Sequence, residues 1–499
     1  MQRFSSFSLF LRTLILPFAF CLLPSALLQG QSQTTILLRG DFPDPTILRD
    51  GDLWYMTHSS YDFYPGLLIW KSSDLVNWER VTRALHTDVG NVWAPELIRH
   101  NDLFYLYFPT SMGGNFVITA SNIEGPWSEP VHIDVRGIDP GHVVGKTGER
   151  YLYLNNGRVA PLADDGLSVT GPMKRVYEGW NYPLDWGVEC FCLESPKLVY
   201  REPWYYMTSA QGGTSGPATS HMAVAARSKD PLGPWENSPY NPVVRTWKAS
   251  EPWVSKGHGT IFADANDRWY IVYHAYERGH LPMGRSTLVE PVEWTSDGWY
   301  KSSVKGLNYH MNNSNLIGSD DFSGKELKLQ WAFSNTGGNP FTPEARYHAK
   351  LDGEKLILET PVEGMVVMHA VPGVPDYEAT VKLEAGAGTE AGLILYFTDE
   401  WYAGLAIRDG ELFSLSLGKE HWGAKIQNPE IKYLKLRMDH YTLFMSYSED
   451  GQTWHPYEIA LEVSGYQKNV LGGFSSLKIG IYGKGGGKVA VDEFTFNQN

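Results

Sequence analysis

The chain has 499 residues, more than one hydrophobic core usually serves, so two or three domains are expected. Its formal net charge of -14 argues against nucleic acid or an anionic membrane as partner. It also carries 18 Trp, 28 Tyr and 21 Phe, and aromatics beyond the needs of a core suit stacking on sugar faces.

Residues 1–32 read as a secretory signal peptide. Arg3 and Arg12 precede an apolar run from Leu14 to Leu28 that Pro17 and Pro24 interrupt, which fits a cleaved leader and not a membrane span. A secreted or periplasmic product is expected. Its remaining cysteines, Cys190 and Cys192, lie one residue apart in a segment read as extended, where they are poorly placed to pair, so buried thiols are expected.

From residue 33 to 312 one pattern recurs five times: a short strand-like run, a tight turn, then an aromatic-rich strand. The copies begin at Asp44-Pro45, Ala94-Pro95, Asp139-Pro140, Glu194-Ser195-Pro196 and His258-Gly259, and their second strands begin at Trp54, Phe104, Tyr151, Trp204 and Trp269. Turn formers such as Asp50-Gly51, Asn101-Asp102 and Asn266-Asp267 separate the two strands. A period of about fifty residues with several short strands per unit is the signature of propeller blades, so a five-bladed β-propeller is predicted. Trp78, Trp127 and Trp235 follow three of the doublets at similar intervals and are expected between blades. The Gly- and Pro-rich stretch 155–189 is expected to be site-shaping loop.

The inner strand of each blade opens at the mouth of the central channel. Asp44, Asp139 and Glu194 open three of the five, so matched repeat phase would aim three carboxylic acids at one axial pocket. Taken singly, an Asp-Pro pair is a common turn opening. Taken together, converging acids near aromatics point to glycoside hydrolysis, in which one acid protonates the leaving oxygen and another activates water or attacks carbon. Like charges held close raise at least one pKa, keeping a proton donor loaded near neutral pH. A catalytically silent glycan-binding propeller is the alternative from another class, although such a protein is expected to lose one of the acids. A structural propeller that binds protein predicts an acid-free mouth, which this chain lacks.

After Trp299-Tyr300 the repeat stops, and Leu307 to Gly318 reads as a linker. Residues 313–499 carry alternating runs, including 391–397, 433–438 and 478–482, that predict an antiparallel β-sandwich of jelly-roll type. The class is therefore all-β. Gly483 to Lys488 lacks the spacing of a phosphate-binding loop, and Gly212 to Gly216 does not fit a nucleophile elbow.

Phe42-Pro43-Asp44-Pro45, Tyr61-Asp62-Phe63-Tyr64-Pro65-Gly66, Ser73-Asp74-Leu75-Val76-Asn77-Trp78, Trp93-Ala94-Pro95-Glu96, Ile138-Asp139-Pro140, Glu194-Ser195-Pro196 and Gly284-Arg285 together resemble glycoside hydrolase family 43. The resemblance is nearest to its β-xylosidase and α-L-arabinofuranosidase members with a C-terminal concanavalin-like domain. It implies an inverting exo-enzyme that releases a terminal pentose, β-D-xylosyl first, from plant or algal oligosaccharides or polysaccharides. An α-L-arabinofuranoside or exo-galactanase substrate is the alternative. By that resemblance Asp44 is the general base, Glu194 the general acid and Asp139 the group that orients and tunes Glu194. Many members have Glu-Gly-Pro at the acid, where this chain has Ser195. Trp93, Tyr61 and Phe42 are expected at the sugar subsite, Arg285 on sugar hydroxyls and against the pocket's negative charge, and His258 near the axis. No cofactor is required, while a structural calcium is allowed for. By the same resemblance the sandwich is expected to pack on the propeller, where it can lend a loop that closes the pocket; an independent carbohydrate-binding role is the rival, and the short linker favours packing.

Overall fold

The computed structural model describes residues 33–312, 316–334 and 349–498, so the expected signal peptide lies outside the described residues. Five antiparallel sheets open with Thr46–Asp50, Glu96–His100, Gly141–Val144, Glu194–Arg201 and Trp253–Ala263. Each of these strands touches the next around a ring, and the fifth returns to the first, which makes them the inner strands of a five-bladed propeller. The turns to the second strands use the anticipated chemistry: Gly51, Asn101 and Asp267 adopt φ of 62°, 53° and 56°, a left-handed conformation that Gly, Asn and Asp tolerate best.

The last blade is closed by the beginning of the chain. Thr34–Leu38 lies antiparallel to Arg285–Trp294, and Tyr309–Met311 lies parallel on its other side. Part of the segment read as a linker is therefore a propeller strand. Blade faces meet through buried aromatics. Trp235 sets its ring edge-on against Tyr153 of the preceding blade at 6.2 Å, as the outer-Trp reading anticipated.

The C-terminal part is a β-sandwich. Among the described residues it has a nine-stranded and an eight-stranded sheet that share one apolar core, including Val381, Leu393, Leu405, Leu434 and Ile479. Tyr433–Asp439 alternates part-exposed and buried positions along its length, the period of two that a half-buried strand requires. One strand of the larger sheet comes from the propeller: Phe63–Tyr64, in a loop of the first blade, pairs with Ala332–Ser334. Helix is confined, among the described residues, to a 3-10 turn at Leu281–Met283 and a single turn at Lys468–Leu471. Neither is long and apolar enough to cross a membrane.

Candidate active site

Asp44, Asp139, Ser195 and His258 hold equivalent places in four blades. Each lies two residues before Thr46, Gly141, Lys197 or Thr260, and their φ angles are 58°, 60°, 54° and 57°. Left-handed residues other than Gly cost of order 1 kcal/mol each, and they concentrate where a backbone must aim side chains at a site. Glu194 does not share this phase. A register shift between the Glu194↔Ala210 and Lys197↔Thr208 pairs inserts a bulge, so Ser195 takes the repeat position and Glu194 projects from one residue earlier.

The Asp44 carboxylate is the most heavily coordinated group. Arg285 reaches it in a fork, Nη1 at 3.0 Å from Oδ1 and Nη2 at 3.4 Å from Oδ2. Ser59 donates to Oδ2 at 2.6 Å. His274 Nδ1 lies 3.0 Å and His258 Nδ1 3.4 Å from Oδ1. Burial alone would raise this carboxyl, but Arg285 above all overturns that effect and holds it well below the usual carboxylate range. Burial lowers His274 to about 4 and takes His258 well below its ordinary value, so both rings are neutral at pH 7 and Arg285 is the cation that counts.

The other two acids are pushed the opposite way. Asp139 accepts the Ser195 N–H at 3.2 Å and sits 3.9 Å from His258 Nδ1, the same nitrogen that faces Asp44. Burial first, then the Asp44 charge, raise it to about 7. Glu194 keeps a part-exposed side chain in an otherwise enclosed setting; burial, then Asp139 and Asp44, raise it well above the usual range. Asp139 thus grips the backbone next to Glu194 while its charge opposes ionisation of Glu194. The site holds one carboxyl that gives up its proton readily beside one that retains it.

Beneath the acids the channel is plugged. Lys197 Nζ donates to Glu96 Oε2 at 2.7 Å and to the carbonyls of Pro95 and Pro140, both at 2.9 Å. Thr46 also reaches Glu96, at 3.2 Å. Gly141 occupies the equivalent position in the third blade because an added Cβ would sit 1.6 Å from the Pro196 carbonyl oxygen. This buried ion pair joins the second, third and fourth blades directly under the site. Sequence reading missed it, although Glu96 and Lys197 stand at the same offset from their X-Pro pairs, a signal that opposite charges face one another.

The remaining expected residues fall into place unevenly. Tyr61 OH accepts from Arg285 Nη2 at 2.9 Å, beside Asp44, and the part-exposed Trp93 packs against the buried Tyr61, Phe63 and Ala332 cluster. Arg285 spends its guanidinium on Asp44 and Tyr61, which matches the expected charge role more than direct hydrogen bonding to sugar. The Phe42 ring lies edge-on to His58 and Trp70, and its backbone N–H donates to the Arg285 carbonyl at 2.9 Å. His258 is axial as expected, bridging Asp44 and Asp139. His274, Ser59 and Thr214, which lies 3.3 Å from His274 Nε2, come from positions without a repeat signal.

The sandwich also reaches the mouth of the site. Phe474 lies 5.1 Å beneath the Arg285 guanidinium, and Lys468 Nζ sits 3.1 Å from the same ring and bonds to Ser215. Burial and Arg285 lower Lys468 to about 8 against the pull of Glu189, Glu194 and Asp44.

One expectation changes. Cys190 and Cys192 form a disulfide with Cα atoms 5.3 Å apart, and neither is fully buried. The extended-segment reading fails because the backbone turns at Cys192, with φ of 35°. A structural calcium is poorly served at the axis: Asp44, His258 and His274 offer one carboxylate oxygen and two imidazole nitrogens, with Arg285 against that same oxygen. Calcium takes six to eight oxygen ligands, so this donor set does not fit it.

Residues 34–300 match Glycosyl hydrolases family 43, and residues 319–497 match the Beta xylosidase C-terminal Concanavalin A-like domain. A beta-xylosidase of Bacillus subtilis (strain 168) is 27% identical over 86% of this chain and 91% of its own. The non-reducing end alpha-L-arabinofuranosidase BoGH43B of Bacteroides ovatus is 26% identical over 92% of this chain and 93% of its own. The crystal structure of the GH43 protein BlXynB from Bacillus licheniformis superposes with a TM-score of 0.80 at 25% identity, covering 94% of this chain and all of that one. With a five-bladed propeller, a concanavalin-like sandwich and clustered acids at the channel mouth, the chain belongs to glycosyl hydrolases family 43 and is a glycoside hydrolase.

Proposed function

We propose that this chain releases terminal β-D-xylosyl residues from the non-reducing ends of xylan-type chains, with inversion at the anomeric carbon. The observation that carries the reading is the opposed proton affinity of two acids in one pocket, Asp44 held ionised and Glu194 held protonated. Water gives its proton to Asp44 as its oxygen bonds to the anomeric carbon. The glycosidic C–O bond breaks in the same step, and the Glu194 proton passes to the departing oxygen. Proton exchange with solvent then resets both carboxyls. Asp139 fixes the backbone beside Glu194 and keeps its proton affinity high.

The substrate assignment rests on the chain's likeness to the Bacillus subtilis beta-xylosidase and to a Vibrio xylan 1,3-beta-xylosidase that is 31% identical over 54% of this chain. The likeness to BoGH43B favours a terminal α-L-arabinofuranosyl residue as second reading. The basic and apolar leader at residues 1–32 supports export to the medium or periplasm.

The test is hydrolysis of aryl β-D-xylopyranoside and aryl α-L-arabinofuranoside side by side, with the first-formed anomer followed by NMR. Faster turnover of the xyloside, an inverted product, and losses of about 10²- to 10⁴-fold in Asp44→Ala and Glu194→Ala are expected. A retained product would overturn the mechanism. Preference for the arabinofuranoside would overturn the sugar but not the roles.

A further inference from the structure

An array of aromatic rings runs outward from Glu194 across the rims of the fourth and fifth blades. Trp180 lies at its inner end, with its N–H donating to Gln211 Oε1 at 2.8 Å and its carbonyl accepting from Gln211 Nε2 at 3.1 Å. Gln211 adjoins Ala210, the residue paired with Glu194. Trp186 is next, 5.9 Å from Trp180, and Trp247 lies a further 5.7 Å out. Arg245 packs its guanidinium 3.6 Å from the Trp186 ring and donates to the Thr219 carbonyl at 3.1 Å.

The array is held rigidly, yet its outer ring is open. Glu251, itself buried, accepts the N–H groups of Trp247 and Lys248 at 2.7 and 3.0 Å and pairs with Lys256 at 2.8 Å. Upstream, the Cys190–Cys192 disulfide and the Glu189 N–H bond to Ser220 at 2.8 Å fix the segment that carries Trp186. Despite this anchoring, Trp247 is 59% exposed and Leu184 is 100% exposed. Such a fixed, unfilled apolar surface loses little conformational entropy when something stacks on it.

Its position says what that is. A general acid must stand beside the glycosidic oxygen, so the sugars of the leaving group depart past the acid. The loop that leads into Glu194, and the segment that carries Arg245 and Trp247 against it, bear these rings. Trp186 and Trp247 meet edge-on, with ring planes 81° apart, so Trp186 buttresses Trp247 and leaves its exposed face free to stack. The charged neighbours are of both signs, Asp185 and Glu189 against Arg245 and Lys248, so no single charge selects a uronate-rich chain and a neutral one is suited.

Building on the proposed xylosidase reading, we infer that Trp186 and Trp247 form a leaving-group platform that binds the neutral pentose chain two or more residues beyond the scissile bond, making this an enzyme for oligomers and polymers in preference to disaccharides. Trp247 supplies the open stacking face, and Trp186, braced by Arg245, sets its angle.

The variant Trp247→Ala tests this, with Trp422→Ala, an 86% exposed Trp of the sandwich, as control. The quantity read is kcat/KM on xylotetraose divided by kcat/KM on aryl β-D-xylopyranoside. It falls about tenfold in Trp247→Ala, the effect of one lost stacking partner, and stays at the native value in Trp422→Ala. An unchanged ratio in Trp247→Ala overturns the platform. Titration calorimetry on Glu194→Gln separates this from the substrate assignment. If the native enzyme releases no xylose, that assignment fails, while the platform stands only if xylotetraose or arabinotetraose binds and Trp247→Ala weakens it about tenfold.

Discussion

Replacing Arg285 by Met removes the cation that keeps Asp44 ionised. At 3.0 Å and an effective dielectric of about 20, the Coulomb attraction between the two is about 5 kcal/mol, an upper bound because water entering the vacated space replaces part of it. An opposite charge at this range typically lowers a carboxylate by about 1–3 pKa units, so the variant returns that much to Asp44. The two imidazoles compensate only in part: burial is the first cause of their low proton affinity, although Arg285 also holds His274 down and its loss releases that ring somewhat. The proposed general base works only when ionised, so raising its pKa moves the acid limb of kcat/KM upward by about 1–3 pH units and costs most activity at low pH. The assay is a pH–rate profile of kcat/KM on an aryl glycoside from about pH 3 to 9 for native protein, Arg285→Met and Arg285→Lys. The Lys variant restores charge without the fork and is expected between the other two. An acid limb that stays in place while kcat/KM drops uniformly would refute the argument and make Arg285 a sugar-binding group.

Lys197→Met leaves Glu96 buried without its cation beneath the acids, which costs about 3–5 kcal/mol of stability. Denaturant unfolding reads this loss, and adding Glu96→Gln is expected to recover much of it; native stability in the single variant contradicts the hub. Lys478, fully buried on the sandwich 3.9 Å from Asp41, is lowered by burial to about 8. Between about pH 8 and the unfolded value of 10.5 the unfolded chain binds more protons there, so this residue's contribution to stability rises with pH across that window and is flat below it. The stability difference between native protein and Lys478→Met should therefore grow by about 3 kcal/mol from pH 8 to 10.5, and a flat difference would show Lys478 to be solvated.

The propeller was legible because its repeat carries redundant signals: X-Pro or His-Gly at each inner opening, a turn former, then aromatics. The general location of Asp44, Asp139 and His258 followed from that phase. The position of Glu194 within the phase did not, because a bulge with Ser195 in a left-handed conformation slips the acid by one residue, and a bulge leaves no compositional mark. The disulfide was hidden for a similar reason, since a turn at Cys192 lies in a stretch without turn formers. Tyr309–Met311 escaped because a three-residue strand owes its existence to Thr34–Leu38, far away in sequence. His274, Ser59, Lys468 and Phe474 reach the site from outside the inner openings, so only tertiary structure gathers them.

The sandwich is part of the catalytic apparatus more than an attached module. Phe63–Tyr64 leaves the first blade to pair with Ala332–Ser334. Phe63 meets the sandwich residue His369 with ring centroids 4.5 Å apart, and on its other side meets Tyr61 at 5.6 Å. Tyr61 in turn bonds Arg285, which holds Asp44 ionised. An unbroken run of packed and hydrogen-bonded groups thus links the sandwich sheet to the proposed base, while Phe474 lies under the same guanidinium from another side. A sugar-binding module on a tether would leave the electrostatics of the propeller untouched. Here the wall that orients Arg285 is built from both domains, so the proton affinity of Asp44 is a property of their union.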